Sequence, residues 1–268
     1  MTFPETRHTL IQRLATGGHD GDWQEFMEDY WGPVCRFAKW KGSLTHEDAE
    51  DVASLTFEAL LKSRLLQRWS EVQSARLRTL LCTVVRNVLS NRARVVSARE
   101  KVVREHGGML DRYVELSENE TADAPQDQLD AFYAAWVDDI LHNVVESLLV
   151  EYNHNGKGDY FRVLYGRLCE EMSLPEIAEA LQIKLTAAEN FLRHTRQQLA
   201  DRLQGVVRAN VARYAPADRV DPEFAAEWAL LGEYLQSRGG IEEVIRRLYL
   251  ENEPGSPVFK RRRSVPRA

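Results

Sequence analysis

The sequence predicts an all-α protein: two small helical domains joined by an acidic linker, with a helical C-terminal extension. Three observations lead there. Apolar residues recur at three- and four-residue spacing along most of the 268 residues, the period of an amphipathic helix. No run of alternating β-branched residues reads as a strand. A polar, proline-containing stretch, Ser117 to Asp127, breaks the pattern and is too hydrophilic to bury. The length exceeds the usual single domain, so two modest cores are expected. The predicted division is 1–104, a linker at 105–126, a second domain at 127–203 and an extension at 204–268.

Each element has a local reason. A first helix covers Thr6 to Leu14 and stops at Gly17-Gly18. The next starts near Asp22 and places Trp23, Phe26, Tyr30 and Val34 on one face, with Gly42 as its end. Pro33 lies inside it and either kinks or breaks it, because its ring removes a donor and crowds the preceding turn. Thr45 followed by Asp48 resembles a capping box, starting a helix that runs to about Leu61. Gln67 to Ser74 reads as an irregular stretch holding Trp69. From about Ala75 to Arg94 or beyond, Leu77, Leu80, Leu81, Val84, Val85, Val88 and Leu89 form the apolar side of another helix. Periodicity resumes near Gln126 and pauses at a turn, Asn153 to Gly158. In the extension, helices are expected around Phe224 to Leu235 and Ile241 to Leu250, separated by Gly239-Gly240. They either fold back on the second domain or bind a regulator. The basic end, Lys260 to Arg267, is either a solvated tail or a weak nucleic-acid contact.

Hydrophobic content of 44% and charged content of 28% are ordinary for a globular protein. No apolar run approaches the roughly 20 residues that span a bilayer, so membrane insertion is not expected. The opening MTFPETRHTL lacks a signal-peptide core, and a cytoplasmic location is expected. Cys35, Cys82 and Cys169 are odd in number and far apart, which excludes a disulfide framework and predicts buried free thiols. The histidines show no metal-ligand spacing, and there is no phosphate-binding glycine loop or nucleophile motif. No metal, cofactor or catalytic activity is expected.

The net charge of −6 and pI near 5.7 argue against nucleic-acid binding only as averages. Arg76, Arg78, Arg86, Arg92, Arg94, Arg99, Lys101 and Arg104 fall in a stretch with the single acid Glu100, while Glu47, Asp48, Glu50 and Asp51 cluster upstream. One stretch suits phosphate, the other a basic protein surface. Trp69 near Arg76 and Arg78 is suited either to stacking an exposed base or to packing in the core.

In the second domain, Leu174 to Leu181 and Thr186 to Leu203 read as two helices across a tight turn. The spacing of Leu174, Ile177, Ala178, Leu181, Ile183, Ala188 and Leu192 is that of a helix-turn-helix. Small Ala178 suits a close approach of the helices. Lys184, Asn190, Arg193, His194 and Arg196 then become candidates for base and phosphate contacts. An ordinary helical hairpin with solvated charges is the alternative.

Taken together, these residues resemble the extracytoplasmic-function sigma factors of bacterial RNA polymerase. DAEDVASLTF, Asp48 to Phe57, looks like the family's clamp-binding helix, commonly DAEDLVQETF. LRTLLCTVVRNVLSNRAR, Leu77 to Arg94, looks like its promoter-melting helix, often FRSWLYTIARNLALDHLRR, and the helix-turn-helix takes the place of the minus-thirty-five reader. The resemblance runs from about Thr6 to Leu203. It implies a transcription-initiation factor whose partners are core RNA polymerase, promoter DNA and an inhibitory anti-sigma protein. It assigns Glu47, Asp48, Glu50, Asp51 and Ser54 to the polymerase. To DNA it assigns Trp69, Arg76, Arg78, Arg86, Asn87, Asn91, Arg92 and Arg94 in the first domain, and Lys184, Asn190, Arg193, His194 and Arg196 in the second. The chain departs from the pattern at Ser54 and Leu55, usually Gln and Glu, and at Glu189 and Phe191 in the reader helix. A transcription regulator that never enters polymerase needs only the helix-turn-helix. A helical adaptor that has lost DNA binding needs neither.

Overall fold

The computed structural model describes residues 10–63, 65–71, 77–101 and 125–252, all of them helices and the turns that join these. In chain order the helices are α1 (Leu10–Ala15), α2 (Asp20–Gly42), α3 (His46–Lys62), α4 (Leu65–Glu71), α5 (Leu77–Lys101), α6 (Gln126–His154), α7 (Gly158–Leu168), α8 (Leu174–Leu181), α9 (Leu185–Tyr214), α10 (Val220–Ser237) and α11 (Ile241–Asn252). The expected linker and basic tail lie mostly outside the described residues. Two compact units result, the first containing residues up to Asp139 together with Asn210–Val220, the second containing Ile140–Ala209 and the chain from Asp221 onward. Gln126 to Asp139, which the sequence places at the start of the second domain, group with the first unit.

In the first unit α2, α3 and α5 pack on one another, and α1 packs on α2 and α4. The core is aromatic. Phe26 is fully buried and meets Phe57 edge-on at 5.8 Å and Tyr30 at 5.4 Å, while Trp31 stacks on Phe57. Such ring pairs add about 0.5–1.5 kcal/mol beyond the area they bury. Pro33 does not break α2: the helix runs through to Gly42, and Pro33 is buried within it. Its missing donor is one lost bond among many in a 23-residue helix. Ser43 ends the helix in the left-handed region, φ 49°, with its N–H bonded to Lys39 O. The Thr45 hydroxyl accepts from Asp48 N–H at 3.2 Å and so caps α3 as the sequence predicts.

The irregular stretch expected from Gln67 is helical as far as Glu71. Leu65 and Leu66, both buried, pin α4 against α1, and this tertiary contact overrides the weak local pattern.

Residues 126–139 of α6 bury Phe132 against Phe37, with ring centroids 5.3 Å apart. Arg36 Nε donates to Asp139 Oδ1 at 3.1 Å. Gly32 makes room for that carboxylate, since a Cβ there would lie 2.1 Å from Asp139 Oδ1. Residues 210–220 are fastened to α2 by Asp29, which accepts from the Tyr214 hydroxyl at 2.5 Å and pairs with Arg213. Burial first, then the neighbouring Tyr30 and Asp29, push the Tyr214 phenol upward and keep it protonated.

In the second unit the buried side chains of α6, α7 and α9 form the core, led by Leu141, Leu148, Tyr152 and Leu203. Helix α7 packs on α8, and Gly166 permits the approach: a Cβ there would meet Ile177 Cγ1 at 3.2 Å. The C-terminal helices fold back, α11 packing on α7 with Val244, Ile245 and Leu248 buried. Gly239 and Gly240, at φ 90° and 96°, make the sharp joint before it. Cys35 and Cys82 are buried free thiols, each pushed up to about 11 by burial, whereas Cys169 is half-buried rather than buried.

The aromatic core gives a direct test. Phe26→Ala should cost about 3–5 kcal/mol, measured as a lower urea midpoint with an unchanged slope.

Candidate nucleic-acid interface

Helix α8 begins with a complete capping box. Ser173 N–H donates to Glu176 Oε2 at 2.7 Å, and the Ser173 hydroxyl accepts from Glu176 N–H at 3.5 Å. Pro175 follows in the first turn, where no intrahelical donor is needed. The helix ends at Gln182 in the left-handed region, φ 56°, with Ile183 N–H bonded to Ala178 O at 2.9 Å. Only Gln182 to Lys184 separate α8 from α9.

On α9 the buried row is Ala188, Leu192, Thr195, Leu199, Leu203 and Val207. Thr195 is tolerated there because its hydroxyl donates to Phe191 O at 2.8 Å. Thr186, Asn190, Arg193 and Gln197 therefore point the opposite way, and all four are exposed. Arg193 donates to Asn190 Oδ1 at 2.6 Å, holding two of the expected DNA contacts as one donor-rich unit. Lys184 is exposed at the entrance of the helix. His194, also exposed, packs edge-on to Tyr160 at 5.2 Å. Phe191, an anomaly in the sequence, stacks on Tyr160 at 4.0 Å and so belongs to the packing of α9 on α7. Arg196 is held by both carboxylate oxygens of Glu242 on α11, one at 3.0 Å.

The expected contacts of the first unit are placed differently. Glu47, Asp51 and Ser54 are exposed on α3, and Glu50 is half-buried beside His46. Asp48 pairs with Arg92 of α5, and Arg92 also donates to Asp48 O at 3.4 Å. A residue assigned to polymerase and one assigned to DNA thus satisfy each other. Hydrogen bonds from Thr45, then Arg92, hold the Asp48 carboxyl below its usual value. The Arg78 guanidinium lies over the rings of Tyr133 and Trp136, 4.7 and 4.6 Å from their centroids. Asn87 and Asn91 are buried, so their side chains do not face an outside ligand here, and Arg86 is half-buried. Trp69 is half-buried, and its indole nitrogen is buried with no partner among the described residues. Arg76 and the side chain of Arg94 lie outside the described residues.

Sequence reasoning missed three residues that shape the second unit's face: Gly166, Tyr160 and Glu242. Gly166 sits within a helical pattern, which is a signal of close approach. Glu242 is separated from Arg196 by 46 residues and leaves no local trace. No cluster of metal-ligating side chains occurs among the described residues, and none of their helices is long and apolar enough to cross a membrane.

No protein family, curated protein or solved structure matches the chain. The geometry defines an all-helical protein whose second unit presents a capped helix, a short turn and a second helix with a polar outer row.

The capping box carries a pH signature. The hydrogen bonds from Ser173 lower the Glu176 carboxyl from its ordinary 4.5. Its stabilisation is fully present above that value and is lost as pH falls through the lowered folded one. Ser173→Ala should cost about 1 kcal/mol at neutral pH, and the gap from wild type in urea unfolding should narrow as pH falls below the ordinary carboxyl value of 4.5.

Proposed function

We propose that the chain is an alternative sigma factor of the extracytoplasmic-function type, which joins core RNA polymerase and directs it to promoter DNA. The observation that carries the reading is the outer row of α9. A short helix closed by a left-handed residue leads, past the exposed Lys184 of the turn, into a helix whose Asn190 and Arg193 are exposed together, the chemistry that reads base edges and phosphates in a major groove. In this reading the exposed acids of α3, Glu47 and Asp51, dock on a basic surface of the polymerase. The basic helix α5 and Trp69 handle the opened strand. An anti-sigma protein would hold the factor inactive by covering one of these surfaces.

A second reading, a helix-turn-helix regulator that acts without core polymerase, is favoured by one contact. Asp48 and Arg92 pair with each other, which removes one candidate from each of the two first-unit surfaces.

Copurification with core polymerase, combined with run-off transcription from a promoter found by mapping where the protein recruits polymerase, separates the two. Core binding that is weakened by Glu47→Lys with Asp51→Lys, and transcription that depends on the factor, are expected. Duplex binding with no core association would leave the regulator. For the reader helix, Arg193→Gln should weaken duplex binding by about 1–3 kcal/mol if the contact is to a base. If the contact is to phosphate it should flatten the salt dependence by about one unit. Titration by fluorescence anisotropy at several salt concentrations checks this.

A further inference from the structure

We propose that α11 is a built-in electrostatic brake on α9: Glu242 occupies the Arg196 guanidinium that a DNA phosphate would otherwise take, so the C-terminal helix and DNA compete for one cation. The inference rests on the reading of α9 as a DNA-reading helix and adds to it a form of regulation within the chain.

The contact has the geometry of phosphate recognition. Arg196 approaches both oxygens of one carboxylate, Nε toward Oε1 and Nη2 to Oε2 at 3.0 Å, the two-pronged arrangement by which guanidinium also binds phosphate. The pair remains open to solvent, with side-chain exposures of 49% and 36%, so a competing anion can reach it. An exposed pair of this kind is weak enough to be exchanged.

The bond is not needed to dock α11. Val244, Ile245 and Leu248 are buried, the Tyr249 hydroxyl donates to Glu146 Oε1 at 3.0 Å, and Arg246 pairs with Glu171 at 2.9 Å. With the helix anchored at these points, Glu242 in its first turn is held against the flank of α9 whether or not Arg196 responds. One heptad before Arg196, Glu189 lies exposed on that same flank. With Glu242 in place this flank carries two acids and one base. Without it, the flank is balanced and the guanidinium is free.

The test uses the full chain and a short duplex, read by fluorescence anisotropy across salt concentrations. Glu242→Gln preserves shape and removes the charge. It should tighten binding by up to about fivefold at low salt and steepen the salt dependence by about 0.9, as one more phosphate is engaged. Arg196→Gln alone, which leaves Glu242 unpaired on the flank, should weaken binding by no more than about fivefold, and should cancel the gain when combined with Glu242→Gln. If Arg196→Gln alone tightens binding, breaking the pair releases α11 as a steric cover and the electrostatic brake is wrong. If Glu242→Gln changes nothing while Arg193→Gln weakens binding, the brake is wrong and the DNA reading stands. If neither wild type nor Glu242→Gln binds the duplex, the DNA reading fails and takes the brake with it.

Discussion

The burial of one row on α9 decides where the polar residues of that helix point in the second unit's candidate face. Ala188, Leu192, Leu199 and Leu203 must leave water together, and a helix that turns 100° per residue then has no freedom about where Asn190 and Arg193 point. The capping of α8 and the left-handed Gln182 set where α9 begins, and so which residue falls at the turn. A polar pattern becomes a surface only because the apolar pattern beside it is satisfied.

The all-helical class was legible because helical periodicity is strong in α3, α8 and α11, and caps were legible where short-range chemistry dictates them, as at Thr45. Helix α4 was not legible, because seven residues are too short to show a period and the helix is stabilised by what Leu65 and Leu66 touch. The burial of Asn91 was readable in principle. Leu77, Leu81, Val84, Val88 and Asn91 follow a four-three spacing, which puts the asparagine on the apolar row rather than beside it. The resemblance suggested a nucleic-acid contact, and position assigned the core.

What sequence could not supply is the pairing of charges at long separation. The acids upstream of α5 and the bases within it read as two surfaces for two partners. Yet Asp48 and Arg92, 44 residues apart, meet each other. The same holds for Arg196 and Glu242. A segregated charge pattern states only that complementary surfaces exist, and the nearest complementary surface can be another stretch of the same chain.

Gly32 shows how a local sacrifice carries a distant constraint. A glycine in mid-helix costs α2 about 1 kcal/mol against alanine, and the space left empty at its Cβ is filled by the Asp139 carboxylate that Arg36 holds. Positions 32 and 139 therefore draw on one volume. The side chain admitted at either is whatever the other has left, so a choice made early in the chain is settled only when α6 arrives.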